Sequence, residues 1–551
     1  MDTPNDDKCR MDQMSDRLFG LSLRQTNDDM YGEGSSSCGS SGCRLQPPVL
    51  LSRQTSYIID SMDRFGDDMM ELILSYLSFN DKVTLESVSK QWQRVVYNTQ
   101  TELVLNRSDT EEHNTLNKLL KDIEVTDYAT GFANYAGFKA IDKPSLESIL
   151  KKCPLLRKLN FQCYIDGDIM QMVGKHCHYL KSIECNPIGL KESTLREFGR
   201  KYGDKLQVIR FNDSNYCSAF LKKFFIYCQN VREVYTEDNS AFICDDPMFL
   251  PKLEVIKSID IRTEQLNQLK ILSDKYWETM KTIKIYTYHM IGHQLKNALT
   301  HISQFNNLES LGLSISIFDE DIQVIDENIA EISKNCVKLK KLNFTLNNES
   351  VISNKFFNAF NKLQSIEKLS LEFFEITKKL DGSVECLKNC SKLRHLVISY
   401  KELTEEFFQN IHLFLPNLKI IDIDSDKQMT NKFMESMSKL ANLKKIVLRH
   451  SSNAHKDMTD EGLCLVINNC SLLQTMVFSA RPNITHKTIE VLINSALLRP
   501  KININFSCGF SGGGDEGEFA TIDINNFVNK MPENLKISID MGVVNEDNNN
   551  V

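Results

Sequence analysis

The chain has 551 residues, with 65 Lys and Arg against 73 Asp and Glu for a formal charge of -8 at neutral pH. That length exceeds one ordinary hydrophobic core and calls for several domains or an extended repeat array. The acidic balance, without a long basic run, argues against nucleic acid as a partner.

The first residues, "MDTPNDDKCRMDQ", lack the basic-then-apolar order of a signal peptide, and no apolar run reaches the ~18 residues that span a bilayer. An intracellular protein of the cytoplasm or nucleus, with no membrane partner, is expected. Residues 1–58 contain "YGEGSSSCGSSGCRLQPP", too poor in apolar side chains to offset the entropy of ordering, and are predicted to be disordered. Cys38 and Cys43 in this stretch have no second His/Cys pair at zinc-like spacing, so they read as part of a flexible linker. "RQTS", with Arg53 before Ser56, suits a basophilic kinase but is a common tetrapeptide.

Residues 59–100 carry a different pattern, "DSMDRFGDDMMELILSYLSFNDKVTLESVSKQWQRVVY". Asp67 and Asp68 suit a helix N-terminus; Met69, Ile73, Tyr76 and Leu77 then line one face, and Met70 and Leu74 a neighbouring one. After a turn at Ser78–Asp81, Leu85, Val88, Trp92, Val95 and Val96 recur at helical spacing. A helical module of about 40 residues has more apolar surface here than it can hide and calls for a partner. Asp67, Asp68, Leu72, Ile73, Tyr76, Leu77, Leu85, Val88, Lys90 and Trp92 make this stretch similar to an F-box. That resemblance implies docking on a Skp-type adaptor through Phe65, Met69, Leu72, Ile73, Leu77, Leu85, Val88 and Trp92. Phe65-Gly66 stands where the family has Leu-Pro, so the proline that presets the first helical turn is missing.

Residues 101–152 read as a linker with irregular first repeats. "ELVL" at Glu102–Leu105 suits a strand, "NTLNKLLKDI" a helix, and Pro144-Ser145 the start of another helix. From 153 to 510 one phase recurs, C/L-x-x-L-x-x-L-x-L, as in Leu156/Leu159/Phe161, Leu339/Leu342/Phe344 and Leu393/Leu396/Ile398. About fourteen copies stand about 22 to 31 residues apart, near the ~20–29 of leucine-rich repeats. Each copy pairs strand-like alternation with a helical face such as Ile322, Ile325, Ile329, Ile332 and Cys336, and neither half can bury its apolar side alone. Cys153, Cys177, Cys228, Cys336, Cys390 and Cys470 fall where helix turns into strand, and most of the 16 cysteines are read as reduced, buried packing residues. His176-Cys177-His178 is likewise read as packing and not as a metal site, because neighbouring residues at a helix end point in different directions.

Segments such as "MTDEGLCLVINNCSLLQTMVF" resemble the cysteine-containing leucine-rich repeat. The expected fold is therefore α/β: a curved solenoid with parallel strands on its concave face and helices on its convex face, preceded by a small all-α F-box. Residues 511–551 are assigned to a Gly-rich insertion, a C-terminal cap and an acidic tail; "GFSGGGDEGE" lacks the Lys-Ser/Thr of a phosphate loop. An F-box followed by leucine-rich repeats is similar to the substrate receptors of SCF-type cullin-RING ubiquitin ligases, which implies a non-catalytic protein with no cofactor. Its partners would be a Skp-type adaptor, through it a cullin-RING complex, and a protein substrate. Substrate contact is expected from outward strand residues, with Tyr235, Tyr286 and Arg449 as candidates because aromatics and Arg are enriched in interface hot spots. The alternative is a leucine-rich scaffold or inhibitor that binds proteins without assembling a ligase; no nucleophile–base signature supports an enzyme.

Overall fold

The computed structural model describes residues 66–77, 79–105, 120–122, 139–186, 190–211, 223–236, 250–263, 266–288, 290–316, 322–347, 354–374, 382–449, 457–479, 483–508, 527 and 529–539. The chain divides into two compact units, Met1–Ser61 and Met62–Val551, and every described residue belongs to the second. The Cys38/Cys43 pair, the "RQTS" tetrapeptide, Phe65 and the Gly-rich stretch at 509–518 lie outside the described residues.

The architecture is α/β, a leucine-rich-repeat solenoid built on one 16-stranded sheet. Its strands are β1 (Glu102–Leu105), β4 (Lys158–Tyr164), β5 (Ser182–Asn186), β6 (Val208–Phe211), β7 (Glu233–Thr236), β8 (Val255–Ile261), β9 (Thr282–Tyr288) and β10 (Ser310–Ser316). They continue as β11 (Lys341–Asn347), β12 (Lys368–Phe374), β13 (His395–Tyr400), β14 (Ile420–Asp424), β15 (Lys445–Arg449), β16 (Thr475–Phe478), β17 (Ile504–Cys508) and β18 (Leu535–Ile539). Each pairs in parallel with the next, so spatial order follows chain order. A parallel neighbour requires a crossover. Here the crossovers hold helices such as Gly167–His176, Ile322–Asn335, Asp460–Asn469 and His486–Leu498, or short 3-10 turns at Val384–Leu387 and Glu405–Phe408.

The apolar alternation accounts for the core. Leu342, Phe344 and Leu346 on β11 are buried, as are Leu369, Leu371 and Phe373 opposite them on β12. On the helix side Ile325, Ile329 and Ile332 are buried at the expected spacing. Where crossovers shrink to 3-10 turns, aromatic rings fill the space a longer helix would occupy. Phe357 stands 5.7 Å from Phe407, Phe407 5.2 Å from Phe408, and Phe408 5.4 Å from Phe433, centroid to centroid, in tilted or edge-on contacts.

The recurring cysteines seal the joints between repeats. Cys153, Cys177 and Cys470 each follow the last helical residue, with their N–H groups donating to Ile149, Val173 and Val466. Their side chains point inward and back: the Cys336 thiol donates to the Phe305 carbonyl at 3.5 Å and Cys390 to Phe360 at 3.4 Å, each in the preceding repeat. Burial pushes both thiols up to about 12 and Cys470 up to about 11. Among the described residues all of these cysteines are free thiols.

A second joint links helix starts. Thr430 donates its N–H and hydroxyl to the Glu405 carboxylate at 2.9 and 2.7 Å, and Thr485 donates the same pair to Asp460 at 2.9 and 2.6 Å. Between them Asn431 accepts from the Thr459 N–H at 2.9 Å and donates to its hydroxyl at 2.8 Å. Gly462 makes room for this last pair, since a Cβ there would stand 2.4 Å from the Asn431 Oδ1.

Two expectations are corrected. The segment "NTLNKLLKDI" is not helical at its end: Leu120–Asp122 forms β2, paired antiparallel with β3 (Lys139–Ile141). Pairing with a distant partner overrides a local helical preference there. The turn expected at Ser78–Asp81 is helical from Phe79 onward. Phe79–Thr84 and a 3-10 turn at Leu85–Ser87 stop before Ser89, which is extended (φ -161°) and caps a new helix, Lys90–Asn98, by accepting from the Trp92 N–H. The sheet also runs beyond residue 510, through β18.

Candidate docking module and strand face

The helix Asp67–Ser75 sets the docking module's surface. Met70 and Leu74 turn into the core, where Trp92, Val95 and Val96 of the helix Lys90–Asn98 meet them. Ile73, Leu77 and Leu85 are half-buried against that cluster. The other apolar residues have no cover: Met69 is 47% exposed, Leu72 53%, Val88 48% and Tyr76 83%. An unpartnered apolar strip on so small a module is the mark of an interface.

An exposed ion pair ties the start of this helix to the helix Lys90–Asn98. Asp67, in the first turn, accepts from both sides: Arg94 donates to its two oxygens at 2.8 Å each, and Gln91 donates to Oδ1 at 2.9 Å. The hydrogen bonds from Gln91 and then Arg94 lower the Asp67 pKa. Gly66, where the family has proline, is extended and caps the helix through its backbone alone. Trp92 is a core residue, 4% exposed, and its indole N–H is buried with no acceptor among the described residues. Of the sequence-predicted adaptor residues, Met69, Leu72 and Val88 thus lie on the surface, Ile73, Leu77 and Leu85 at its boundary, and Trp92 beneath it. Tyr76, the most exposed of the group, was not among the expected contacts although the F-box pattern contains it.

The module is joined to the sheet without a free linker. The Thr101 carbonyl, just before β1, accepts from the Arg157 and Lys158 N–H groups at 2.8 and 3.0 Å, which docks the end of the module onto β4. Lys152 adds a second tie, its ammonium 4.7 Å above the Tyr97 ring.

On the outward strand face the three predicted substrate residues are far apart. Tyr235 is on β7, Tyr286 on β9 and Arg449 on β15, so about 4.8 Å per strand puts Arg449 ~29 Å from Tyr286 and ~38 Å from Tyr235 along the sheet. A single short epitope cannot touch all three. Tyr286 is half-buried under the Lys284 ammonium, 4.7 Å from its ring, and Lys284 lies over Gly312, where a Cβ would stand 2.6 Å from its Cγ. Arg449 is held by Asp422 on the neighbouring strand, at 2.8 and 3.0 Å. Burial raises the Asp422 pKa against the opposing pull of Arg449. Toward the N-terminal half the outward charges are paired in the same way: Lys158 with Glu102 at 3.4 Å, and Arg210 with Glu184 at 3.3 Å and Glu233 at 2.6 Å.

Elsewhere, His176 faces Glu147 at 3.1 Å and Cys177 is buried, so the His-Cys-His run is divided between a surface pair and the core. Among the described residues no group of three His, Cys, Asp or Glu side chains is placed to hold a metal ion, and no helix is long and apolar enough to cross a membrane.

No curated protein matches the chain. Among solved structures, a chain of the Rad7 and Elc1 complex in yeast is 15% identical, with 72% of this chain and 82% of that chain covered at a TM-score of 0.38. A chain of the TLR13–ssRNA13 complex is 13% identical, with 72% and 59% covered at a TM-score of 0.32. Neither likeness carries an argument about function. The docking module itself is recognised: residues 62–100 match the family model of the F-box domain, and an F-box implies docking to a Skp-type adaptor.

Proposed function

We propose that this protein is the substrate-recognition subunit of an SCF-type ubiquitin ligase, working in the cytoplasm or nucleus. The F-box docks on a Skp-type adaptor and, through it, a cullin-RING complex, while the outward strand face recruits a protein for ubiquitination and degradation. The observation that carries the reading is the uncovered strip of Met69, Leu72, Tyr76 and Val88 on the F-box match. Such surface is favourable to bury and costly to leave in water. The mechanism is one of positioning. The last F-box helix ends at Asn98 and β1 begins at Glu102, so the bound adaptor and the strand face are held by one continuous, hydrogen-bonded backbone. A substrate bound on the strands is thereby presented at a set distance from the ligase, which is the proximity effect of holding two reactants together. No step of bond making is assigned to this chain.

The test is co-expression of the full chain with a Skp-type adaptor, followed by size-exclusion chromatography. A stoichiometric complex that is lost in Met69→Glu/Leu72→Glu is the expected result. A folded wild-type chain that elutes without the adaptor would reject the receptor reading in favour of a scaffold.

A further inference from the structure

The sheet's register brings together cations that lie far apart in sequence. One residue ahead of each strand, the repeats carry Arg232, Glu254, Lys281, Glu309, Lys340 and Glu367, a rail of alternating sign. Its members are joined: Arg232 and Lys281 flank Glu254 at 2.7 and 2.8 Å, and Lys340 meets Glu309 at 2.7 Å. The alternation ends at the member after Glu367. The next three members are Arg394, Lys419 and Lys444, cations on three adjacent repeats, with no ion-pair partner among the described residues.

The first outward row of the strands adds to them. Lys341, Lys368, His395, Ile420 and Lys445 are successive register partners from β11 to β15. The His395 pKa is lowered first by burial and then by Lys368 and Lys445 on either side, as expected of a neutral imidazole within a positive patch. The acids of the same strands stand farther along them: Glu372, Asp424, and Asp422 already paired with Arg449. Charge is thus segregated across the face, positive at the strand starts and negative toward their ends. Ile420, half-buried between His395 and Lys445 in the positive row, is apolar, and Val397 and Val447 flank Asp422 one row farther along. In a protein of net charge -8, unpaired cations gathered on three neighbouring repeats call for an anionic partner.

We propose that the strand starts of β13–β15 bind an extended acidic segment of the recruited protein, with carboxylates on Arg394, Lys419, Lys444 and Lys445 and one apolar side chain on Ile420. That the segment belongs to a recruited protein rests on the receptor reading; the acidic-segment site does not. The three strands at about 4.8 Å span ~10 Å, the reach of about three extended residues at ~3.3 Å each, so the cations match the centre of a short linear segment lying across the strands. Glu372 and Asp424 repel such a segment from the strand ends and hold it to the basic edge.

The probe is a fluorescein-labelled six-residue peptide of Glu and Asp around one Leu, titrated into the full chain in complex with its adaptor and read by anisotropy. Expected are saturable binding, a loss of about 10-fold or more in Lys419→Glu/Lys444→Glu, a comparable loss on raising NaCl from 0.1 to 0.5 M, and none bound when Gln and Asn replace the acids. Lys419→Gln/Lys444→Gln gives a smaller loss without charge reversal and serves if the Glu variant does not fold. Absence of peptide binding, equal binding by either folded variant, or equally tight binding of a single-stranded DNA oligonucleotide of the same charge would each overturn the proposal. Adaptor retention is read in the same samples: peptide binding without adaptor capture sinks the receptor reading alone, and adaptor capture without peptide binding sinks the acidic-segment site alone.

Discussion

Replacing Met69 and Leu72 with Ala is expected to weaken adaptor binding by roughly 10- to 150-fold without lowering the melting temperature. Both side chains stand about half in water, at 47% and 53% exposure, so about half of their burial energy is still available to a partner. Full burial of such a side chain is worth about 1.5–3 kcal/mol, which leaves roughly 0.8–1.5 kcal/mol each and about 1.5–3 kcal/mol for the pair. At 1.4 kcal/mol per factor of ten, that is the stated range. The contrast is Trp92→Ala. Trp92 is 4% exposed and packs on Met70 and Leu74's side of the module, so its loss removes core and costs roughly 3–5 kcal/mol. Titration calorimetry with purified adaptor, paired with thermal melts of each variant, separates the two effects. If Met69→Ala/Leu72→Ala binds as tightly as the parent, or loses binding only by unfolding, the exposed strip is not the docking surface.

Other consequences follow from the joints between repeats. Cys336→Asp is expected to destabilise strongly, by several kcal/mol, because it puts a charge where the thiol is fully buried; a denaturation midpoint unchanged from the parent would contradict this. The Cys336 and Cys390 thiols have folded pKa values raised from 9.0 to about 12, so their contribution is whole below pH 9 and is lost as pH rises toward 12. Chemical denaturation between pH 8 and pH 11 should show that decline, shallower in Cys336→Ala, and a flat profile would refute it. Gly462→Ala, which adds helix propensity of about 1 kcal/mol, should nonetheless destabilise, because the new Cβ meets the Asn431 side chain that holds Thr459; a raised melting temperature would sink this reading. Burial pushes Asp460 up, but hydrogen bonds from Thr485 and Thr488 outweigh it and leave its pKa lowered, so Asp460→Ala should cost about 1.5–3 kcal/mol at neutral pH and progressively less as pH falls below 3.8. Equal stability of parent and variant at pH 7 would contradict it.

The repeat array was legible because nearly every copy writes the same burial pattern: the triples from Leu156/Leu159/Phe161 to Leu473/Met476/Phe478 are in the core, save at β7, where Val231 and Val234 are buried and the third place is a polar Thr236. β18 was not, although Leu535, Ile537 and Ile539 alternate, since it follows the Gly-rich stretch and lacks the leading Cys-x-x-Leu. In the F-box, helical spacing marked the apolar residues without telling the face turned inward from the face turned out. Trp92 and Met69 carry the same sequence signal, and only the packing of Asp67–Ser75 on Lys90–Asn98 separates them. The strand face was the least legible part. Whether a charge is spent depends on its register partner one repeat away, as with Arg449 and Asp422, and repeat lengths vary too much to align such partners by eye. The same uncertainty concealed the convergence of Arg394, Lys419 and Lys444.

The most direct test of the receptor account is affinity purification of the full chain from cells that express it, beside Met69→Ala/Leu72→Ala, with the adaptor and cullin quantified by mass spectrometry. The account predicts that a Skp-type adaptor and a cullin co-purify with the parent in near-equal amounts and fall together, at least about tenfold, in the folded variant. Parent protein recovered without adaptor, or adaptor recovered equally with both, would contradict it.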